Sequence, residues 1–292
     1  MRGAHPERAI ERRVEVDGIV RAGQRVVVAC SGGPDSVALS AVLHALSKPL
    51  GLTLTLAYVN HGTRASAWQD ECVALAIAAR FGLTLRIVAL DGVRADEASL
   101  REARYAALLS IARAVDAGAV ATAHHAQDQS ESVLLALFRG AGPTGLAGMP
   151  ARRPLGEGID LIRPLLRVAS EDLAAYCRFE GLPYAIDPTN DRAADARNAV
   201  RAALDALRPA FPGLDVAVAR AAEVVAQERA GSARAGLRRQ VRDALREQEG
   251  LRDVDFDHVE AAVRALENGS SGRFFMKAGT SLVVERGRLV EE

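Results

Sequence analysis

The stretch that most constrains this chain is Val26-Val27-Val28-Ala29-Cys30-Ser31-Gly32-Gly33-Pro34-Asp35-Ser36-Val37-Ala38-Leu39. A β-branched run favours a strand, two adjacent glycines permit a tight reversal, and the residues that follow suit a helix. Such a loop turns its main-chain N–H groups inward, Ser31 and Ser36 add hydroxyl donors, and the helix contributes the positive end of its dipole. The occupant this chemistry selects is an anion. The loop has neither the lysine and longer glycine spacing of a Walker A loop nor the third glycine of a dinucleotide fingerprint, which excludes both classes.

Beyond this loop, the 292 residues suit one large and one small domain. Lys+Arg and Asp+Glu both number 37, so net charge gives no argument for nucleic-acid affinity and any basic surface is local. Cys30, Cys72 and Cys177 are far apart and form no Cys-x-x-Cys pair, which argues against a zinc ribbon or a thioredoxin-like site and for structural thiols in a reducing compartment. Charges run through the first residues, and no apolar stretch has the length of a signal core or membrane span. The expectation is a cytoplasmic protein without membrane contact.

Helical spacing of Ile10, Val14 and Ile19 predicts a helix from Pro6 to Val20. Strands are expected at Leu52–Val59, Leu83–Leu90 and Ala117–Thr122, and helices at Trp68–Phe81 and Ser99–Val115. This alternation predicts an α/β fold with a doubly wound parallel sheet. Polar groups collect where strands end: Asn60-His61-Gly62 after the second, His124-His125 with Asp128 and Glu131 after the fourth. A glycine-rich connection, Gly140 to Gly148, reads as mobile, and Ser170 as the cap of a helix to Glu180. Pro212-Gly213 marks a boundary, giving 1–213 as the catalytic domain and 214–292 as a small α+β accessory. In the latter, Leu214 to Leu245 reads as one long helix carrying Arg229, Arg234, Arg238, Arg239, Arg242 and Arg246. Phe256–Leu266 is a further helix, and three small strands end the chain, the last two joined at Arg286-Gly287.

Several groups carry chemistry. Asp35 and Asp128, at two strand ends, offer carboxylates to a hard cation such as magnesium, although Asp128 and Glu131 also serve simply as favourable charges at a helix N-terminus. Arg101 and Arg104 share a helix face, and a guanidinium there can stabilise charge developing on phosphorus; a solvated surface pair is the alternative. Arg197 and Arg201, four apart, reach along one face toward phosphate or form an ordinary surface.

Ser-Gly-Gly-x-Asp-Ser at Ser31–Ser36 resembles the PP-loop ATP pyrophosphatases. With Val59-Asn60-His61-Gly62, Arg101-Glu102-Ala103-Arg104-Tyr105, His124-His125, Asp128, Glu131, Arg139-Gly140-Ala141-Gly142, Arg163-Pro164-Leu165 and Asp187 to Arg201, in that order, the chain is similar to the tRNA(Ile)-lysidine synthetase family over its first two-thirds. The resemblance implies that the C2 oxygen of the wobble cytidine of a tRNA(Ile) with a CAU anticodon attacks the α-phosphorus of ATP, after which free L-lysine displaces AMP. It further implies that Ser31, Gly32, Gly33, Pro34, Asp35 and Ser36, with His61, hold the nucleotide, and that Asp35 and Asp128 serve Mg2+. Arg104 with Arg101 would stabilise the transition state and His125 would orient the reactants. Asp187, Asn190, Arg197, Asn198 and Arg201 would face the tRNA or lysine. A homodimer is among the assemblies this allows. Thr63 and Ser132 depart from the usual residues of relatives, and the chain has room for only one small C-terminal module. A tRNA thiolase, a small-molecule amide ligase and a non-catalytic nucleotide sensor are the competing readings.

Overall fold

The computed structural model describes residues 6–60, 67–90, 96–185, 196–247, 256–275 and 281–290. Two compact units divide after Ala221. The larger is built on a six-stranded sheet, β1 (Arg25–Ala29), β2 (Thr53–Asn60), β3 (Thr84–Ala89), β4 (Ala119–Ala121), β5 (Arg152–Gly156) and β6 (Ile159–Ile162), in the order β3-β2-β1-β4-β6-β5. All neighbours are parallel except β5, which pairs antiparallel with β6 at the edge. Pro154 is tolerated in β5 because an edge strand need not donate on both sides.

The strands are apolar on both faces, as a sheet covered on both sides requires. Val26, Val28 and Cys30 face one core with Leu54, Leu56 and Tyr58, while Val27 and Ala57 face the other. On the first face pack α1 (Pro6–Val16), α2 (Pro34–Leu50), α3 (Ala67–Phe81) and α7 (Ser170–Phe179). The second is covered by α4 (Glu97–Ala114) through Tyr105, Leu108, Ile111 and Ala112. The chain leaves β1 toward β2 on one side and returns through β4 on the other, so the C-terminal ends of β1 and β4 flank a topological switch point, where open α/β sheets bind ligands. Residues of α5 (Ala126–Phe138) and α8 (Ala196–Leu207) line the cavity there, and the single-turn α6 (Pro143–Leu146) packs on α5.

The doubly wound sheet predicted from sequence is therefore present, with three local corrections. Helix α1 ends at Val16, before Asp17-Gly18, rather than at Val20. The glycine-rich connection contains the short helix α6, and just beyond it the Gln129 amide donates to Met149 O at 3.0 Å and accepts the Met149 N–H at 2.8 Å. Ser170 is not a cap: the N-cap of α7 is Ala169, and the Ser170 hydroxyl is used elsewhere.

The division between units falls inside α9 (Leu214–Arg229), whereas the sequence puts a boundary at Pro212-Gly213. The expected long helix is two helices, because Gly231, at φ +59°, closes α9 and Ser232 Oγ accepts the Ala235 N–H at 3.2 Å to start α10 (Ala233–Glu247). In the smaller unit α10 packs on α11 (Phe256–Glu267), and the antiparallel sheet β7 (Gly272–Phe275), β8 (Ser281–Glu285), β9 (Arg288–Val290) covers Val241, Leu245, Val263 and Leu266. Its arginines are not a bare stripe. Arg238, buried, and Arg234 both bond Glu260, and Arg234 also reaches Glu267.

Candidate active site

The loop after β1 shapes itself before any ligand arrives. Ser31 N–H donates to Ser36 Oγ at 3.0 Å, Ser31 Oγ lies 3.2 Å from the same oxygen, and Ser36 Oγ donates to Gly33 O at 2.9 Å. The Ala185 N–H fixes the loop from outside by donating to Gly32 O at 2.9 Å. Gly32 has φ +86°, and a Cβ there would stand 2.8 Å from Asp70 Cα; only glycine fits. Gly33 differs, for its φ of −73° suits any residue and a Cβ would meet nothing nearer than Ser31 Oγ at 3.8 Å. The backbone does not demand glycine at 33. With Gly33 as N-cap and Pro34 opening α2, the helix N-terminus faces the loop.

Opposite, β4 runs into α5. Asp128, third residue of α5, accepts the backbone N–H of the N-cap His125 at 3.0 Å, so it does favour the helix start; its carboxylate also turns toward the loop. His125 Nε2 lies 3.4 Å from Asp35 Oδ2 and 3.5 Å from Asp128 Oδ2, while Nδ1 donates to Gln127 Oε1 at 3.1 Å. Burial works against a charged imidazole, yet the Asp35 bond and the Asp128 and Asp35 charges outweigh it and raise the His125 pKa above its ordinary value. His124 is the reverse. Buried and surrounded by Arg163, Arg101 and Arg104, its pKa falls to about 3, so it stays neutral beside Thr122 Oγ1 at 2.9 Å.

Both carboxylates thus converge on one point, the His125 ring. Among the described residues no group of three or more His, Cys, Asp or Glu forms a cage for a metal. Two carboxylates and no cage fit Mg2+, a hard cation that binds through one or two carboxylates plus substrate phosphates.

A cavity of about 660 Å³ joins these groups. Ser31, Gly33, Asp35, Ser36, Arg104, His125, Asp128, Glu131 and Arg201 line it. Gly32 and Pro34 shape the loop behind the wall. Arg101 lies one turn before Arg104 on α4. Arg197 reaches the site indirectly: its Nε donates to Glu131 Oε2 at 2.7 Å, and Arg201 Nε donates to Glu131 Oε1 at 2.7 Å. Glu131 is 3% exposed, and although burial opposes its charge, the two guanidinium groups lower its pKa. Asn198 is on α8 but not among the lining residues. His61, Asp187 and Asn190 lie outside the described residues.

Sequence reasoning missed three contributors. Ser170 Oγ donates to Asp35 Oδ1 at 3.2 Å; Gln127 Oε1 accepts the Ser170 N–H at 2.9 Å; and Gln127 Nε2 donates to Glu171 Oε2 at 2.8 Å. The acidic run after Ser170 was their only trace, and it reads equally well as a helix start.

Strand order, switch point and a strand–loop–helix anion cradle together define a PP-loop nucleotide site, and residues 6–207 match the PP-loop domain family. The chain is 43% identical over 254 residues to a tRNA(Ile)-lysidine synthase of Salinispora tropica, with 85% of this chain and 74% of that one covered. It belongs to the tRNA(Ile)-lysidine synthase family. Identity to the Symbiobacterium thermophilum protein of that name is 41% over 191 residues, covering 63% of this chain and 39% of the relative, so the chain spans well under two-thirds of that protein's length. Among solved structures it resembles a U34-tRNA thiolase from Methanococcus maripaludis with a TM-score of 0.63 and 19% identity, over 74% of this chain and 77% of that one; this likeness concerns the fold.

Proposed function

We propose that the chain is an ATP-dependent ligase that forms a carbon–nitrogen bond, converting the wobble cytidine of tRNA(Ile) with a CAU anticodon to lysidine. The observation that carries this reading is the convergence of the anion loop, the Asp35–His125–Asp128 array and Arg104 on one cavity in a chain of this family.

The chemistry follows in two displacements. The cytidine C2 oxygen bonds to the α-phosphorus as the bond to the β-phosphate oxygen breaks, and pyrophosphate leaves. The lysine ε-amine then bonds to C2, the C2–O bond breaks, AMP departs and the nitrogen loses a proton. Inward N–H groups and the Ser31 and Ser36 hydroxyls hold the departing pyrophosphate, and Arg104 faces the charge that develops at the α-phosphorus. Asp35 and Asp128 are the residues that would hold Mg2+, which when bound offsets phosphate charge. His125, whose Nε2 lies 3.4 Å from Asp35 and 3.5 Å from Asp128, keeps those carboxylates oriented. A free amine has a pKa of about 10.4, so the second step needs desolvation or an acceptor to provide neutral lysine. The small C-terminal unit serves as an accessory contact for the tRNA, and the cytoplasm, where that tRNA is found, is the place of action. Among the described residues no helix is long and apolar enough to cross a membrane.

The thiolase reading has less support, since Cys30 and Cys177 are buried, burial raises both thiols, Cys177 to about 12, and the exposed Cys72 is not among the residues that line the cavity. Pyrophosphate release from ATP, assayed with and without tRNA and lysine, tests the proposal. Release that requires the CAU tRNA supports it; release indifferent to RNA contradicts it.

A further inference from the structure

On the α4 face of the sheet, outside the loop that would hold pyrophosphate, three guanidinium groups gather on one aromatic ring. Arg101 Cζ lies 5.2 Å from the Tyr105 ring centroid, Arg104 Cζ 5.7 Å and Arg153 Cζ 5.2 Å. They come from two elements remote in sequence: Arg101 and Arg104 from the first turns of α4, Arg153 from the edge strand β5. Register places Arg153 opposite Leu161 near the C-terminal end of β6, the edge where ligands bind. A fourth guanidinium, Arg163, lies just after that strand, 2% exposed, with Nη1 donating to Pro150 O at 2.7 Å and its buried Nε without a hydrogen-bond partner among the described residues.

Tyr105 is 9% exposed and offers its ring to all three guanidinium groups, and Arg153 Nη1 also donates to Pro154 O at 3.0 Å. Positive charges brought together in this way raise the local potential and favour an anion beside them. Two neighbours record the field. Arg101 and Arg104, with Arg163, add to burial in holding His124 neutral, and Arg153 and Arg101 add to burial in lowering the Arg163 pKa.

We propose that Arg101, Arg104 and Arg153, assembled over Tyr105, form a shelf that binds a backbone phosphate of the RNA substrate beside the reacting nucleotide. The proposal rests on the RNA-modifying function proposed above. Arg104 belongs to both the shelf and the cavity wall, so a phosphate seated here fixes the polynucleotide within reach of the nucleotide loop. Planar forks suit phosphate in particular, by paired N–H···O bonds that an ammonium group does not make. A free nucleotide's phosphate has the same chemistry, and the test separates the two sources.

The full chain is titrated with a tRNA(Ile) transcript carrying the CAU anticodon at several salt concentrations, and separately with a non-hydrolysable ATP analogue. Arg153→Gln is expected to weaken RNA binding several-fold and to reduce the slope of log affinity against log salt by about 0.7 to 0.9, the loss of one phosphate contact. Arg153→Lys is expected to restore most of that slope, and ATP-analogue affinity to stay within about twofold of wild type in both variants. Equal slopes for wild type and a folded Arg153→Gln overturn the shelf. So does loss of nucleotide affinity with RNA binding intact, which gives the anion site to the nucleotide. If Arg153→Gln fails to fold, Arg153→Lys and Arg153→Met decide: a slope kept by lysine and lost by methionine supports the shelf, and equal slopes overturn it. Wild type that makes lysidine while Arg153 variants are indifferent removes the shelf alone; a slope change in a chain that makes no lysidine removes the function alone. Wild type that binds no RNA removes both.

Discussion

The hydroxyl of Ser170, first residue of α7, donates to Asp35 Oδ1 at 3.2 Å, while Asp35 Oδ2 faces His125 Nε2 at 3.4 Å. One oxygen of the carboxylate is thereby tied to a helix start and the other turned to the site. Loss of that tether frees the carboxylate to rotate. Ser170→Ala is expected to lower tRNA-dependent pyrophosphate release roughly 3- to 10-fold, the kinetic equivalent of about one hydrogen bond. Asp35→Ala is expected to abolish release while RNA still binds. Initial rates and an RNA titration check both; full turnover by Asp35→Ala would remove Asp35 from the cation site.

The two loop glycines differ in their tolerance. Gly32→Ala places a Cβ against Asp70 in a left-handed backbone and is expected to cost about 1–3 kcal/mol. Gly33→Ala is expected to change stability by less than about 0.5 kcal/mol, because restriction of the unfolded chain and the poorer N-cap oppose each other. Because Gly33 lines the cavity, the added methyl is still expected to weaken nucleotide binding. Denaturant unfolding and a nucleotide titration read the two effects apart, and equal stability losses at 32 and 33 would contradict the account.

Much of this was legible in the sequence, and the misses share a cause. Val26 to Leu39 announces strand, loop and helix because each local preference agrees with the fold. The alternation of strands and helices up to Thr122 is equally readable, since each element carries its own period. What sequence could not show are pairings across distance. Ser170 looks like a cap until Asp35 is seen beside it, and Arg153 has no evident partner until β5 brings it over Tyr105. Arg234 and Arg238 have no evident partner in the sequence until Glu260 meets them from α11. The break at Ala230-Gly231-Ser232 rests on one glycine in an alanine- and arginine-rich run, which carries little local signal.

His124 gives the larger unit an acid sensitivity. Its folded pKa of about 3 lies below the ordinary 6.5, so the folded state favours the neutral ring and the unfolded chain binds the proton more readily. The stability this group supports is fully present above pH 6.5 and is lost progressively as pH falls toward 3. Thermal melts of wild type are expected to fall more steeply between pH 6.5 and 4.5 than those of His124→Asn. A ring resonance of His124 titrating with a midpoint near 6.5 would contradict this.

In the smaller unit, Arg238 is 3% exposed at its side chain and Glu260 8%, so each depends on the other. Arg238→Ala strands a buried carboxylate against Arg234 alone and is expected to cost about 3 kcal/mol. Arg239→Ala, with the side chain 62% exposed, is expected to change stability by less than about 0.5 kcal/mol. Comparable losses in the two, measured by denaturant unfolding, would show that the Glu260 cluster does not organise this unit.

The most direct measurement is the product itself. A CAU-anticodon tRNA(Ile) transcript is incubated with the chain, ATP and lysine, and its wobble nucleoside is identified by digestion and mass spectrometry. Lysidine at the wobble position, formed only when ATP and lysine are both present, together with one AMP and one pyrophosphate per modified tRNA, is the predicted result. Unmodified cytidine after ATP has been consumed would contradict it.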